Sequence, residues 1–244
     1  MNPTSAKDAE KLAKNITTRM PKMKKVMAVV APPFIHLSSV AKVIGKAATL
    51  GVQNVSAKSE GPRTGEIAAA MLASYKVKYA IIGHSERRAL GETNDDVNQK
   101  LRELVKVKIT PVVCVGESAR DHHGEQFSFV EGQVRAALKG VTRAESANIV
   151  IAYEPIWAIS SGDGKGVTAT PEHAHEMKLF IQKVLVGIYG RAAAMRVPII
   201  YGGSVNAANA QSLMKEGEVD GFLIGGASLD AVSFTTICKI AETL

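Results

Sequence analysis

The sequence has little of what marks several classes of protein. It contains two cysteines in 244 residues, Cys114 and Cys238, one tryptophan, and 5% aromatic residues. Two cysteines are too few for a disulfide scaffold, and no set of Cys and His residues has the spacing of a zinc site. So few cysteines favour a protein of the reducing cytoplasm. So few aromatic side chains leave little with which to stack nucleic-acid bases.

Long apolar segments are missing as well. No apolar run approaches the ~20 residues that a membrane helix needs, and the first residues contain no apolar signal core. The 46% of hydrophobic and 22% of charged residues are typical of a globular protein with a large core. Because no Pro/Gly/Ser-rich linker divides the chain, we expect one domain over residues 1–244, the size of a single α/β barrel.

The net charge is basic, with 30 Lys+Arg against 23 Asp+Glu and a formal charge of +7. Such a charge suits an anionic small molecule, a nucleic acid or an acidic surface. The basic runs are short, as at Lys22, Lys24 and Lys25, and are typical of solvated faces. We therefore expect a small anionic substrate and neither a nucleic-acid nor a membrane partner.

Seven short apolar runs alternate with stretches in which apolar residues recur at helical spacing, giving seven predicted strands and eight predicted helices. Most of the runs are continuous, as in strands buried on both faces. Alternation of this kind predicts parallel strands joined by right-handed crossovers, in an open sheet or a closed barrel. The first element is a helix, because Ser5 and Asp8 have the form of a capping box. The runs are 26–30, 52–55, 79–82, 111–115, 149–152, 198–201 and 222–224.

Polar or glycine-rich clusters follow four of these runs, and the carboxyl ends of parallel strands share one mouth. Glu154 directly follows apolar strand residues, where a carboxylate is costly to bury without a function or a partner. His84 alone is equally consistent with a structural histidine. The glycine pairs 202–203 and 225–226 are either phosphate cradles or tight turns. Residues 157–171, rich in small side chains, form either a mobile lid or a surface loop.

Four segments, 82–88, 152–159, 201–206 and 221–229, resemble the triosephosphate isomerase family, in order over essentially the whole chain. The resemblance implies a TIM (β/α) barrel. It also implies an isomerase that interconverts dihydroxyacetone phosphate and glyceraldehyde 3-phosphate in glycolysis and gluconeogenesis, without a metal or cofactor. A non-catalytic phosphate-binding or interaction protein on the same scaffold is the alternative.

The resemblance also implies roles for individual residues. Glu154 matches the base that moves a proton between neighbouring carbons, and His84 matches the neutral imidazole that polarises the carbonyl. Positions that match phosphate-binding groups are Ser160, Ser204, Gly225 and Gly226. Positions that match supporting residues are Ser85, Glu86, Ile159, which covers the base, and Tyr201.

Three departures from the family pattern affect these expectations. The family's opening strand ends in Asn-Trp-Lys-Met-Asn, and the sequence from Met1 matches only its end, so that strand, the Asn and the Lys are missing. We expect the missing lysine, whose ion-pair partner matches Glu86, to cost on the order of a thousandfold in rate. Lys24, Lys25 and Arg63 are candidates for a substitute charge.

The other two departures are in loops. Ser160 replaces a phosphate-binding glycine in a lid lengthened by residues 163–166, so we expect slower closure. Arg63 replaces a usual phenylalanine in loop 61–66, which resembles the dimer loop of the family. A homo-oligomer is therefore possible, but the usual dimer interface is in doubt.

The missing strand also predicts a gap in the barrel, with strand edges exposed. We expect an irregular segment or a neighbouring chain to cover it, or a loosely folded protein that becomes ordered when ligand binds.

Overall fold

A computed structural model describes residues 2–58, 61–120, 123–159 and 169–244, along which helices and parallel strands alternate. The strands are β1 (Val29–Val30), β2 (Thr49–Val52), β3 (Tyr79–Ile82), β4 (Thr110–Val115), β5 (Val150–Tyr153) and β6 (Ile199–Tyr201). The helices are α1 (Ala6–Arg19), α2 (Leu37–Val43), α3 (Ala69–Ser74), α4 (Ser85–Ala89), α5 (Asn94–Lys106), α6 (Glu125–Ala137), α7 (Pro171–Tyr189), α8 (Arg191–Ala194), α9 (Ala210–Lys215) and α10 (Ala231–Thr243).

The six strands form one parallel sheet in the order β1-β2-β3-β4-β5-β6, so each strand pairs with its neighbour in the chain. This confirms the predicted α/β alternation. The predicted count of seven strands is wrong for the described residues, because 222–224 makes only a single bridge, between Phe222 and Tyr201. With no described strand on its other side, that segment has too few ladder bonds to form a strand.

The predicted count of eight helices is also wrong, since the described residues contain ten α-helices. Glycines with positive φ lie where helices are divided. Gly91, at φ 96°, lies between α4 and α5, and Gly190, at φ 78°, lies between α7 and α8. A left-handed backbone cannot continue an α-helix, and glycine adopts it without steric cost.

The helix starts follow from the sequence as predicted. The Ser5 hydroxyl accepts the Asp8 N–H at 3.1 Å and so caps α1. Thr170 caps α7 in the same way, and Pro171 occupies the first turn, where its missing N–H leaves no bond unmade.

Strand β2 begins at Thr49, three residues before the predicted run 52–55, and it includes Gly51. A Cβ on Gly51 would lie 2.8 Å from Val29 Cγ1. Glycine therefore allows β1 and β2 to approach closely, although its low strand propensity hides the strand from a sequence pattern.

The predicted gap lies between β1 and residues 222–224, which line the same cavity of about 410 Å³. The irregular segment before β1 lines this cavity as well, and there Met27 Sδ accepts a hydrogen bond from the Tyr79 hydroxyl at 3.1 Å. The main core packs around the sheet with residues from Ala9 to Ile237. None of the helices in the described part of the chain is both long and apolar enough to cross a membrane.

A buried ion pair joins helix α5 to the end of β3. Lys100 donates hydrogen bonds to Glu92 and, at 2.8 Å, to Asn54 Oδ1, while Glu92 Oε1 accepts the Gly83 N–H at 2.7 Å. Both charged side chains are almost fully buried, with exposed fractions of 6% and 3%. Since Gly83 precedes His84, this pair fixes the start of a predicted site loop.

Replacing one partner tests the importance of this pair. We expect Lys100→Met to lower the free energy of unfolding by about 3 kcal/mol, because it leaves the buried Glu92 carboxylate with only the more distant Arg87 Nε, at 3.6 Å, as a cation. Urea denaturation measures the change. Lys106→Met in the same helix is the matched control, since the Lys106 side chain is exposed and its pair with Glu103 contributes about 0–1 kcal/mol. Equal effects of the two variants would contradict this account.

The segment before β1 is held by the C-terminal helix. The Glu242 carboxylate accepts the N–H groups of Lys24, Lys25 and Val26, at 2.8, 3.0 and 3.1 Å for the shortest contacts. These hydrogen bonds, that from Lys24 foremost, lower the pKa of Glu242 below its usual 4.5.

A carboxyl group with a lowered pKa stabilises the fold above its unfolded pKa, and that stability is lost as the pH falls through the folded pKa. We expect Glu242→Gln to be less stable than the unchanged chain at pH 7, and the difference to shrink below about pH 4.5. Urea denaturation at a series of pH values measures it. The exposed Glu216→Gln serves as control, and a difference independent of pH would show that the bonds to Glu242 do not act through its charge.

Candidate active site

The predicted site residues lie at one edge of the sheet, where the parallel strands end. His84 follows β3 by two residues, Glu154 directly follows β5, and Ser204 lies three residues after β6. Because neighbouring parallel strands end on the same side, these segments converge as the sequence predicts.

Glu154 is a buried carboxylate at the centre of this edge, with an exposed fraction of 1%. Its Oε2 accepts the N–H of Ser85 at 2.9 Å, and its Oε1 lies 3.0 Å from His84 Nε2. The two candidate catalytic residues of the sequence, Glu154 and His84, are thus in direct contact.

His84 occupies the N-cap position of α4, where its Nδ1 accepts the N–H of Glu86 at 3.3 Å. An accepting Nδ1 carries no proton, so the neutral ring has its N–H at Nε2, facing Glu154. Burial lowers the pKa of His84, but the Glu154 carboxylate outweighs burial, and the net shift is upward. The pKa of this imidazole therefore depends on the position of the Glu154 carboxylate.

Two glycines enclose Glu154. A Cβ on Gly116 would lie 1.7 Å from the Glu154 carbonyl oxygen, and one on Gly202 would lie 2.9 Å from Glu154 Cγ. Only glycine fits at Gly116, because the atom that a Cβ would meet belongs to the backbone. Cys114, two residues before Gly116 on β4, is fully buried. Its burial, together with the Glu154 charge, raises the pKa of its thiol well above the usual value.

The predicted phosphate-binding positions flank this pair. The Ser204 hydroxyl donates to the Ala158 carbonyl at 3.3 Å, and Asn209 holds the Ser204 carbonyl at 2.9 Å. Gly225 precedes the short 3₁₀ turn Gly226–Leu229, in which a Cβ on Gly226 would meet open space. Ser160 lies outside the described residues, as do residues 161–168 of the predicted lid.

The supporting residues differ in their environments. Glu86 is largely exposed, with one oxygen 4.0 Å from His84 Nδ1, and within the described residues no lysine or arginine forms an ion pair with it. Tyr201 is buried, and burial raises its pKa to about 12. Ile159 closes the short turn Ile156–Ala158 through its N–H to Ile156, at 3.2 Å.

Within the described residues, none of the candidate substitute cations forms an ion pair with Glu86 or Glu154. Lys24 and Lys25 precede β1 and so lie at the amino ends of the strands, opposite Glu154. Arg63 lies in an exposed loop. Arg87 and Arg88 follow His84 closely in sequence, but Arg87 Nε lies 3.6 Å from Glu92 Oε2, and the Arg88 guanidinium is bound to the carbonyls of Gly83 and Cys114, at 2.7 and 3.3 Å.

Sequence reasoning missed a second buried carboxylate, Glu117, with an exposed fraction of 2%. Its Oε1 accepts hydrogen bonds from the Tyr153 hydroxyl and from Trp157 Nε1, both at 2.8 Å, and from Arg120 Nε at 3.2 Å. The guanidinium of Arg120 also lies 5.3 Å from the centre of the Trp157 ring. Glu117 closely follows β4, so the rule that identified Glu154 would have found it.

No group of three or more metal-ligating side chains comes together within the part of the chain that the structure describes. The groups that the described residues bring to this edge include the Glu154 carboxylate, the His84 imidazole and backbone N–H groups.

Comparison with known proteins agrees with this geometry. A family model described as triosephosphate isomerase matches residues 1–241. The chain belongs to the triosephosphate isomerase family. A relative named triosephosphate isomerase from Endomicrobium trichonymphae is 44% identical, over 89% of this chain and 86% of the relative. Another of that name, from Rhodopirellula baltica, is 41% identical, over 98% of this chain and 93% of the relative. A third, from Thermoanaerobacter sp. (strain X514), is 46% identical over 87% and 86%.

The packing of Gly116 against the Glu154 backbone predicts that a larger residue at position 116 lowers the isomerase activity of this chain. We expect Gly116→Ala to lower isomerase activity by more than about tenfold, because moving Glu154 by even ~1 Å misaligns a proton-transfer group. Steady-state kinetics of triose phosphate turnover measure this. In the matched control, Gly132→Ala on α6, the added Cβ meets open space, and we expect unchanged kinetics with a gain in stability of about 0.5–1 kcal/mol. Full activity in Gly116→Ala would contradict the importance of this contact.

Proposed function

We propose that the chain interconverts dihydroxyacetone phosphate and glyceraldehyde 3-phosphate, with Glu154 as the base and His84 as the electrophile. The observation that carries the proposal is the 3.0 Å contact between Glu154 Oε1 and His84 Nε2 at the carboxyl edge of the sheet. Two groups so close together can both reach a three-carbon substrate.

In this mechanism a Glu154 oxygen takes a proton from the carbon next to the carbonyl, leaving an enediolate, and returns it to the neighbouring carbon. In the structure the Ser85 N–H holds one carboxylate oxygen and the other faces His84, so Glu154 turns from this position to reach the substrate carbon. Its burial supports the role, since solvent is kept away from the proton in transit.

His84 Nε2 gives its proton to the carbonyl oxygen as negative charge develops there, and takes back the hydroxyl proton of the neighbouring oxygen, which becomes the new carbonyl oxygen. While Glu154 faces the imidazole, the carboxylate raises the pKa of His84. When Glu154 turns to the substrate carbon, that support is lost, and burial together with the Glu86 N–H at Nδ1 favours the neutral ring. A neutral imidazole then serves as a hydrogen-bond donor whose strength matches the forming enediolate.

The phosphate would be bound by Ser204 and by the N–H groups of Gly225 and Gly226, with Ser160 contributing from the lid. Glycine permits the close approach that an oxyanion requires, and these segments follow β6 and Phe222 on the same edge as Glu154. The reduced rate expected without the family's lysine stays a prediction, which the measured kcat/KM of the chain tests.

We also propose that the protein works in the cytoplasm on this small substrate, without a nucleic-acid or membrane partner. Two free, buried thiols support a reducing compartment. Assembly into a homo-oligomer stays a prediction, to be tested by the mass of the protein in solution.

Replacing the base tests the proposed function directly. We expect Glu154→Gln to lower kcat by at least about a hundredfold, because the amide cannot accept a proton at neutral pH, while phosphate binding persists. A coupled assay of glyceraldehyde 3-phosphate turnover measures kcat, and calorimetry with inorganic phosphate measures binding.

The exposed Glu131→Gln is the control, for which kcat should not change. Unchanged turnover in Glu154→Gln would overturn the role of Glu154. If the unmodified chain binds phosphate but turns over neither triose phosphate, the non-catalytic alternative is correct.

A further inference from the structure

His173 links the first turn of helix α7 to the turn that follows Glu154. It is the third residue of α7, and its ring meets the ring of Trp157 edge to face, with the ring centres 5.3 Å apart and the ring planes at 89°. Both side chains are partly buried. Two aromatic rings attract each other in this arrangement, so His173 holds Trp157 against α7.

The position of Trp157 matters for the proposed site. Trp157 lies in the short turn Ile156–Ala158, which begins two residues after Glu154. In the same turn, the Ala158 carbonyl accepts the Ser204 hydroxyl at 3.3 Å. The turn therefore joins the proposed base to one of the proposed phosphate-binding groups, and a displacement of Trp157 disturbs both.

Two acidic or basic groups hold this turn, and they differ in their response to pH. Glu117 accepts the Trp157 Nε1–H at its carboxylate, at 2.8 Å, and the Ile156 N–H at its carbonyl, at 3.0 Å. The Glu117 carboxylate is almost fully buried and has Arg120 as its ion-pair partner. The other group is His173, and histidine is the side chain whose charge ordinarily changes between about pH 5 and 8.

The hydrogen bonds of His173 require a neutral ring. Its Nδ1 accepts the Thr170 N–H at 3.2 Å, and the Thr170 hydroxyl accepts the His173 N–H at 3.4 Å, which together form the capping box of α7. An Nδ1 that accepts a hydrogen bond carries no proton. On protonation, two N–H groups would face each other across this contact, so the ring would turn and leave Trp157.

The charged groups around His173 do not compensate for such a proton. Arg120 already lies over the same indole, 5.3 Å from its centre, and repels a second cation there. Glu176, three residues further along α7, is bound by Arg120 Nη1 at 2.8 Å. Glu172 is exposed, and its pKa is lowered foremost by a hydrogen bond from the Thr170 side chain. A positive charge in the first turn of a helix also opposes the helix dipole.

We propose that His173 is a positioning residue for the isomerase reaction, because its neutral ring holds Trp157 and thereby the turn between Glu154 and Ser204. A proton on His173 releases this hold, so the rate falls at acidic pH for a reason that lies in the protein and not in the substrate. This inference rests on the proposed function, since it concerns the rate of that reaction.

Fluorescence tests the contact directly, because Trp157 is the single tryptophan of the chain. The emission of an indole moves to longer wavelengths when water gains access to it. We therefore expect the emission of the unmodified chain to shift to longer wavelengths as the pH is lowered from about 8 to about 5.

Two variants show whether His173 causes this shift. In His173→Gln the shift should be lost, because the amide does not titrate and its oxygen can still accept the Thr170 N–H. His175→Gln is the matched control on the same helix, and there the shift should persist. His175 has a different neighbour, with its Nδ1 at 3.7 Å from a Glu218 oxygen.

Steady-state kinetics test the consequence for the reaction. The phosphate of the substrate itself gains a proton near pH 6, so kcat/KM for glyceraldehyde 3-phosphate is compared between variants at the same pH. We expect His173→Gln to match the unmodified chain within about twofold at about pH 7.5, and to exceed it by about fivefold or more at about pH 5.5.

A second substitution separates the hydrogen bond from the volume of the side chain. His173→Leu fills a similar space but accepts no hydrogen bond, so we expect kcat/KM to fall by about tenfold or more at both pH values. The rescue by glutamine and not by leucine is the pattern that a positioning role predicts. Urea denaturation verifies that each variant is folded under the assay conditions.

Two outcomes overturn the proposal while leaving the isomerase function intact. One is the same emission shift in His173→Gln, which would show that another group titrates beside Trp157. The other is an equal pH dependence of kcat/KM in His173→Gln and in the unmodified chain, which would show a contact without a positioning role. Absence of turnover in the unmodified chain at every pH would instead refute the isomerase function, and the positioning role with it. Since the emission shift does not depend on turnover, these failures are distinguishable.

Discussion

The burial of one carboxylate against one imidazole is the constraint on which the site depends. Glu154 is almost inaccessible to water and has a single N–H, that of Ser85, on one oxygen and the His84 ring beside the other. A charge in that position is tolerated only if the surrounding backbone is fixed, since a small displacement would leave it without compensation. The rest of the edge is built to prevent such a displacement.

Buried carboxylates also fix the loops around this pair. Glu92 binds the N–H of Gly83 and thereby holds the residue before His84, while Glu117 gathers Tyr153 and Trp157 on either side of Glu154. Each has its own cation, Lys100 for Glu92 and Arg120 for Glu117. Three buried acidic side chains with different roles thus lie along the carboxyl edge of one parallel sheet.

The sequence was sufficient to predict the alternation of elements, the helix caps and the convergence of His84 and Glu154, because these depend on local patterns and on the geometry of parallel strands. It was not sufficient for Gly51, whose place in β2 depends on a distant contact with Val29. Nor did it reveal that Lys100 is buried, since its position on α5 resembles that of an exposed lysine until Asn54 and Glu92 are in place. The segment 222–224 has a strand-like composition but forms one bridge, because pairing depends on the neighbours available.

The order of the strands, each beside its neighbour in the chain, has a consequence for how the molecule assembles. Every connection from β3 to β6 includes at least one helix, and each of these strands pairs only with strands adjacent to it in the chain order. The half of the sheet that carries Glu154 and His84 is therefore held together by pairing among β3, β4, β5 and β6, and it needs no contact between β1 and residues 222–224.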